Sequence, residues 1–210
     1  LNNEKFIKSC LDSIINQKFK KNKLEHIIID GGSTDSTIKI IKKYKKKNNF
    51  IKFFIKKNTS IYEAINFGIK KSKKKIIGLL HSDDLFANNQ VLNKVEKFFN
   101  NKNINAIYSN IKFTDRENIK KIKRIFISRQ LTFEDLKKCE HPPHTSLFIK
   151  REIFKKYGYY NTSLKIASDF EFMLRVFGVE KVKIKYINTF FVIMREGGTS
   201  TKSLKNIFRS

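Results

Sequence analysis

Two short segments place carboxylates beside small residues in a pattern suited to phosphate and metal chemistry. In IIIDGGSTD, Asp30 closes an apolar run and Gly31-Gly32-Ser33 follow it. In GLLHSDD, Asp83 and Asp84 follow a second apolar run. Adjacent carboxylates repel, so holding both ionised is favoured when a divalent cation sits between them and a phosphate. Hard oxygen ligands of this kind select Mg²⁺ or Mn²⁺ over zinc. A third acidic group, ASDFEFMLR, sets Asp169 and Glu171 at a helix start, where a carboxylate serves either as a cap or as a general base. Each segment alone also fits plain turn or capping chemistry. Their occurrence together, two of them at neighbouring strand ends, is the more specific signal.

The elements that must position these residues follow from the spacing of apolar side chains. Phe6, Cys10, Leu11, Ile14 and Ile15 recur at helical intervals, with Asn2 or Asn3 as the cap. Leu24–Asp30 is a short apolar run, as expected for a buried strand. Ser33 or Thr34 then caps a helix bearing Ile38, Ile41 and Tyr44. A strand over 50–55, a helix over 61–71, a strand over 75–80, a helix over 91–99 and a strand over 106–109 complete the alternation. This predicts an α/β fold: an open, mostly parallel sheet with helices on both faces. Ligands of such sheets bind beyond the carboxyl ends of the strands, where Asp30 and Asp83-Asp84 fall. From Lys112 the pattern is less regular, with strands over 121–128, 145–149 and 182–194 and helices over 132–139 and 169–177. No Pro- or Gly-rich linker separates the halves, so 1–111 and 112–210 are expected to be parts of one domain.

Composition narrows the function classes. The 210 residues carry 45 Lys and Arg against 19 Asp and Glu, a net charge of +26, which by itself suggests nucleic acid. Only seven of those cations are arginine, however, and Asn, Ile and Phe are enriched together with Lys. A/T-rich codons produce that set, whereas phosphate-binding surfaces enrich Arg for its bidentate fork. A basic nucleic-acid-binding module is therefore kept only as an alternative. Forty per cent hydrophobic residues, with 20 Phe, exclude a disordered basic tail. The apolar stretch Tyr186–Met194 is far shorter than the roughly 20 residues of a membrane-spanning helix. Two cysteines, Cys10 and Cys139, make no disulfide framework and point to a reducing compartment, hence the cytoplasm.

The segments FIKSCLDSIINQ, LEHIIIDGGSTDSTIKIIKKY, SIYEAINFGIKKSKKKIIGLLHSDDLF and HTSLFIKREIFKKYGYYNTSLKIASDFEFMLR, in this order over most of residues 4–178, resemble family 2 glycosyltransferases of the GT-A nucleotide-diphospho-sugar transferase fold. The resemblance is nearest to bacterial members that build surface polysaccharide or lipopolysaccharide. It implies an inverting transfer of a sugar from a nucleotide-diphosphate sugar donor to a saccharide or lipid-linked saccharide acceptor. Under it, 1–111 is the nucleotide-sugar-binding half and 112–210 the acceptor-side half. Asp30 matches the residue contacting the nucleotide base, Asp83 a ribose or sugar contact, and Asp84 the ligand of Mg²⁺ or Mn²⁺. Asp169 matches the catalytic base. His144 lies where members carry a histidine facing the active site. Arg175 matches a basic residue able to serve the diphosphate, and fits a packing or surface arginine equally well.

Departures from the family pattern are specific. His81 stands where Asp or Asn is usual, and is read as a polar residue behind the metal ligand. Asn58 and Ser60 replace an Asp and a Gly. The absence of Trp removes the Gln-x-x-Arg-Trp motif of processive synthases and favours single-sugar transfer. The family's first strand and its Tyr-Asn turn would precede residue 1, so the sequence reads as a fragment with unpaired sheet edges. The alternative enzyme class is a nucleotidyltransferase of related α/β fold. Lysine-rich faces also suit peripheral contact with an anionic membrane.

Overall fold

A computed structural model of the chain describes residues 1–197; residues 198–210, the end of the expected second half, lie outside the described residues. The first sheet is a parallel pair, β1 (His26–Asp30) and β2 (Ile51–Ile55), joined through α2 (Thr37–Lys47). The helix α1 (Glu4–Ile15) packs on α2, where Ile7, Leu11 and Ile41 form a cluster with Ile28 and Phe53. The helix α3 (Ile61–Lys71) lies against β1. Ser60 caps α3 by accepting from the Glu63 amide while Glu63 accepts from the Ser60 amide, which fixes the chain's entry into the helix.

The second sheet has six strands in the order β3 (Ile76–Gly78), β7 (Phe148–Lys150), β5 (Ala106–Thr114), β8 (Ile184–Arg195) and β4 (Leu85–Phe86), with β6 (Ile122–Phe126) paired to β5 beyond β7. Strands from the first and second halves of the chain therefore alternate within one sheet. The helices α4 (Val91–Phe99), α5 (Phe133–Lys137), α6 (Arg151–Tyr157) and α7 (Ser168–Phe177) complete the described elements. One core cluster sets Phe154, Phe172 and Tyr160 of the α6–α7 region against Tyr108 and Ile149; another sets Val91 and Val95 of α4 against Ile107, Phe191 and Val192. Each such fully buried side chain contributes about 1.5–3 kcal/mol.

The α/β class is as expected, but strand direction is more mixed than alternation alone implies. The β1–β2 and β5–β8 pairs are parallel, while β3–β7, β4–β8, β5–β6 and β5–β7 are antiparallel. The short turn after β5 can only return a strand antiparallel, whereas the long excursion through α7 returns β8 parallel. Strand β5 also runs five residues past the expected end at Ser109. Ser109 and Asn110 look like a polar break, yet both are fully buried and hydrogen-bonded, Ser109 accepting from and donating to Ser146 and its neighbours. The helix α6 abuts β7 with no capping side chain and escaped the periodic reading. The caps differ too: Asn3 stands at the N-cap of α1 without a side-chain capping bond, and α2 begins after Ser36, with Asp35 accepting from the Thr37 amide.

Candidate active site

Asp83 and Asp84 lie between β3 and β4, and β4 pairs with the end of β8. This pairing brings Arg195 to the aspartates: its amide donates to Asp84 Oδ1 at 3.3 Å. Asp84 is 2% exposed, and its Oδ2 is buried without a hydrogen-bond partner. Asp83 is more open and faces Arg116, with Nη1 3.3 Å from Oδ2. Burial, reinforced by the charge of Asp83, pushes the Asp84 carboxyl up to about 8, against the smaller opposing effects of Arg195 and Arg116. The same surroundings push the buried Cys10 thiol well up, first by burial and then by Asp84 and Asp83. An unpartnered buried carboxylate oxygen beside a second carboxylate is a poor place for two negative charges and a good one for a cation. Among the described residues no group of three or more His, Cys, Asp or Glu could hold a metal. The donor set is thus one or two carboxylates, which is the number Mg²⁺ or Mn²⁺ uses when phosphate and water supply the rest.

Asp169 is built differently. It sits in the first turn of α7, after Ala167 in the left-handed region at φ 64°. Its Oδ2 is 3.0 Å from His144 Nδ1, and its Oδ1 accepts from the Tyr62 hydroxyl at 2.9 Å. Burial favours the neutral form, but the hydrogen bonds and charge of His144, followed by Tyr62, outweigh it and hold the carboxyl well below the usual range. The other ring nitrogen of His144, Nε2, is 3.3 Å from His81 Nε2. Burial and the neighbouring His144 lower His81 to about 4, so its ring is neutral at pH 7. The two imidazoles thus share one hydrogen bond between their Nε2 atoms. His81 therefore links the aspartate loop to the Asp169 side, three residues before Asp84.

Asp30 is not in this cluster. Its Oδ1 accepts from the amides of Gly32 and Ser33 at 2.9 and 2.6 Å, and its Oδ2 accepts from the Ser33 hydroxyl at 2.6 Å. These bonds build the turn, in which Gly32 takes φ 98°, a conformation that side chains disfavour. A bridge does run between the two regions. The Asn2 amide donates to Ser33 Oγ, the Asn3 amide donates to Thr37, and Asn3 Nδ2 donates to Ser82 Oγ at 2.6 Å.

Arg175 is held by Glu171 on its own helix and by backbone carbonyls at the end of α6. Nε and Nη2 pair with the Glu171 carboxylate at 2.8 and 2.9 Å, Nη2 also donates to the Tyr159 carbonyl at 2.9 Å, and Nη1 donates to the Tyr157 carbonyl. The guanidinium thereby ties α7 to the end of α6.

A cleft of about 880 Å³ opens beside the cluster, bordered by His144, Arg195, Phe113 and Met194 and by Arg124 and Ile127. Three residues absent from the sequence reading prove central to the geometry: Tyr62, Arg116 and Arg195. Tyr62 lies in the SIYEAINFG segment, and the two arginines are among only seven in the chain. That scarcity against a lysine background was the one available signal for them.

The profile of the family described as "Glycosyl transferase family 2" matches residues 1–158. An uncharacterized glycosyltransferase of Haemophilus influenzae is 28% identical over 205 residues, covering 97% of this chain and 79% of its own length. The minor teichoic acid biosynthesis protein GgaA of Bacillus subtilis is 31% identical over 118 residues, covering 54% of this chain and 26% of its own. Among solved structures, S. aureus TarS 1-349 in complex with UDP superposes with TM-score 0.75 at 19% identity, over 92% of this chain and 57% of that one. The mannosyltransferase PcManGT from Pyrobaculum calidifontis, in complex with GDP-Man and Mn2+, gives 0.72 at 17% identity over 98% and 57%. These likenesses carry the GT-A fold, and the chain spans little more than half of either structure. Among the described residues no helix is long and apolar enough to cross a membrane. With the profile covering well over half its length, the chain belongs to glycosyl transferase family 2.

Proposed function

We propose that this chain, acting as one domain over 1–210, catalyses inverting transfer of a sugar from a nucleotide-diphosphate sugar to an acceptor hydroxyl. The observation that carries the reading is the pairing of an unpartnered buried carboxylate, Asp84, with a fully partnered one, Asp169, across His81 and His144. Asp84 would hold Mg²⁺ or Mn²⁺, a reading that the Mn2+ in the PcManGT complex supports. When bound, the ion neutralises charge developing on the departing diphosphate. Asp30 holds the turn that receives the nucleotide base, and Asp83 reaches the ribose or sugar. Asp169, kept ionised by Tyr62 and His144, accepts the proton of the acceptor hydroxyl as that oxygen attacks the anomeric carbon. One displacement inverts the configuration there. His144 orients the base and, on the edge of the cleft, contacts the nucleotide sugar.

Surface-polysaccharide synthesis is the assigned setting, supported by the teichoic acid protein among the relatives, and the assigned location is the cytoplasm. The family match favours transfer of a sugar over the nucleotidyltransferase alternative. The test is release of nucleoside diphosphate from a panel of nucleotide sugars with and without Mn²⁺. Asp84→Ala and Asp169→Asn are each expected to lower the rate at least about 10²-fold. Undiminished activity in Asp84→Ala sinks the metal assignment; the same result for Asp169→Asn moves the base elsewhere.

A further inference from the structure

The strand β6 and the turn before it form an exposed surface outside the aspartate–histidine cluster. All five residues of β6 are exposed, and β6 pairs with β5 alone among the described residues. Within 119–127, Ile119, Ile122, Ile125, Phe126 and Ile127 are exposed, with Ile127 at 62%. Lys120, Lys121, Lys123 and Arg124 are interleaved with them and are also exposed. Of these cations, Lys123 approaches a carboxylate, Asp115, at 3.8 Å, and Arg124 stacks on Phe113 at 4.0 Å; Lys120 and Lys121 form no ion pair among the described residues. Clustered exposed isoleucines rimmed by charge mark an interaction surface rather than the scattered apolar residues of an ordinary face.

We propose that this hairpin docks the protein on an anionic lipid bilayer. The interleaving selects the occupant. A soluble polyanion would be met by cations alone and has no use for the isoleucines. A second copy adding a strand to the β6 edge would face the same lysines, which are the residues that discourage edge pairing. A bilayer surface takes both kinds of side chain: apolar tips enter the headgroup boundary while the lysine ammonium groups meet lipid phosphates. Arg124, Phe126 and Ile127 also border the cleft beside His144, so docking there sets the cleft mouth at the bilayer. That last consequence rests on the proposed transfer reading; the docking itself does not.

The experiment is flotation of the full chain with phosphatidylcholine vesicles, with and without phosphatidylglycerol, at low and high salt. Binding is expected only with phosphatidylglycerol and is weakened by salt. Replacing Lys120, Lys121 and Lys123 together by Ser should reduce partitioning by roughly 10²-fold, about fivefold per lysine. Ile125→Ser with Ile127→Ser should reduce it about tenfold or more at unchanged net charge, and unfolding curves of both variants should match the parent. Lack of binding to anionic vesicles at low salt overturns the proposal. So does binding that the lysine variant lowers and the isoleucine variant leaves intact, since that is polyanion behaviour. Self-association lost in the isoleucine variant, without vesicle binding, assigns the surface to a second copy instead. Vesicle binding without transferase activity leaves the docking standing and removes the transfer reading.

Discussion

Asp84 and Asp169 are both largely buried, both stand at the ends of elements, and are driven in opposite directions. Asp84 has one amide donor and an empty Oδ2, and it is raised to about 8; Asp169 has a histidine and a tyrosine, and it is held far down. Burial pushes both upward and the charge of Asp83 adds to it at Asp84, so the reversal at Asp169 comes from its partners. The chain supplies a complete hydrogen-bond shell at the residue assigned to take a proton. It withholds one at the residue assigned to hold a cation. A site finished by the protein and a site left for something else to finish are thus distinguishable from carboxylate partners alone.

The largest effect should come from erasing the unfinished side. A carboxyl whose folded pKa lies above its unfolded one binds more protons in the folded state, so stability falls as pH rises between about 4 and 8. In chelator, Asp84→Asn should abolish that slope and raise stability at pH 8 by on the order of 2 kcal/mol, while activity falls at least about 10²-fold. Mn²⁺ should raise the thermal midpoint of the parent and leave that of the variant unmoved. Asp169→Asn should do the reverse to stability. A depressed carboxyl contributes stability above its unfolded value and loses it as pH falls below about 4. The variant should therefore be about 1–3 kcal/mol less stable at pH 7, with the gap closing on acidification. Equal pH slopes in the two variants would break the comparison.

His144→Ala tests whether partners set the difference. Without the imidazole, Asp169 keeps burial and Tyr62 and should move upward, toward the behaviour of Asp84. The acid limb of the pH–rate profile should shift to higher pH, with a rate loss of about tenfold. An unmoved acid limb would mean that Asp169 owes its low value to the start of α7 instead.

The carboxylates were legible because each lies where a periodic apolar run meets Gly, Ser or Asp, and such junctions are visible locally. The α/β class and most elements were legible for the same reason. The Arg175 pairing was legible from local spacing. Glu171 and Arg175 are four residues apart on one helix, so they face each other and pair. What sequence could not give were contacts made by long-range register. Arg195 meets Asp84 only because β4 pairs with β8, and Tyr62 meets Asp169 only because α3 and α7 share a core cluster. The run past Ser109 in β5 was hidden because buried Ser and Asn read as a break until their partners are known.

The smallest effect concerns the second partner of Asp169. Tyr62→Phe removes one hydroxyl and leaves the ring, which packs against Tyr160 at 5.9 Å between centroids. The phenol is itself pushed up to about 12, first by burial and then by the charge of Asp169, so it remains a donor throughout the working pH range. Deleting it frees one carboxylate oxygen while His144 still holds the other. A hydrogen bond to a charged acceptor contributes about 1.5–3 kcal/mol, and the half-open site admits water in compensation, so the net loss should be near 1 kcal/mol. The freed oxygen is the one an acceptor hydroxyl could approach, so turnover should change only severalfold while the acid limb moves upward slightly. A rate loss matching that of Asp169→Asn would instead make the tyrosine hydroxyl itself a participant in proton transfer. Asp169 would then be its positioning residue, and the contrast with Asp84 would become one between a metal ligand and an anchor.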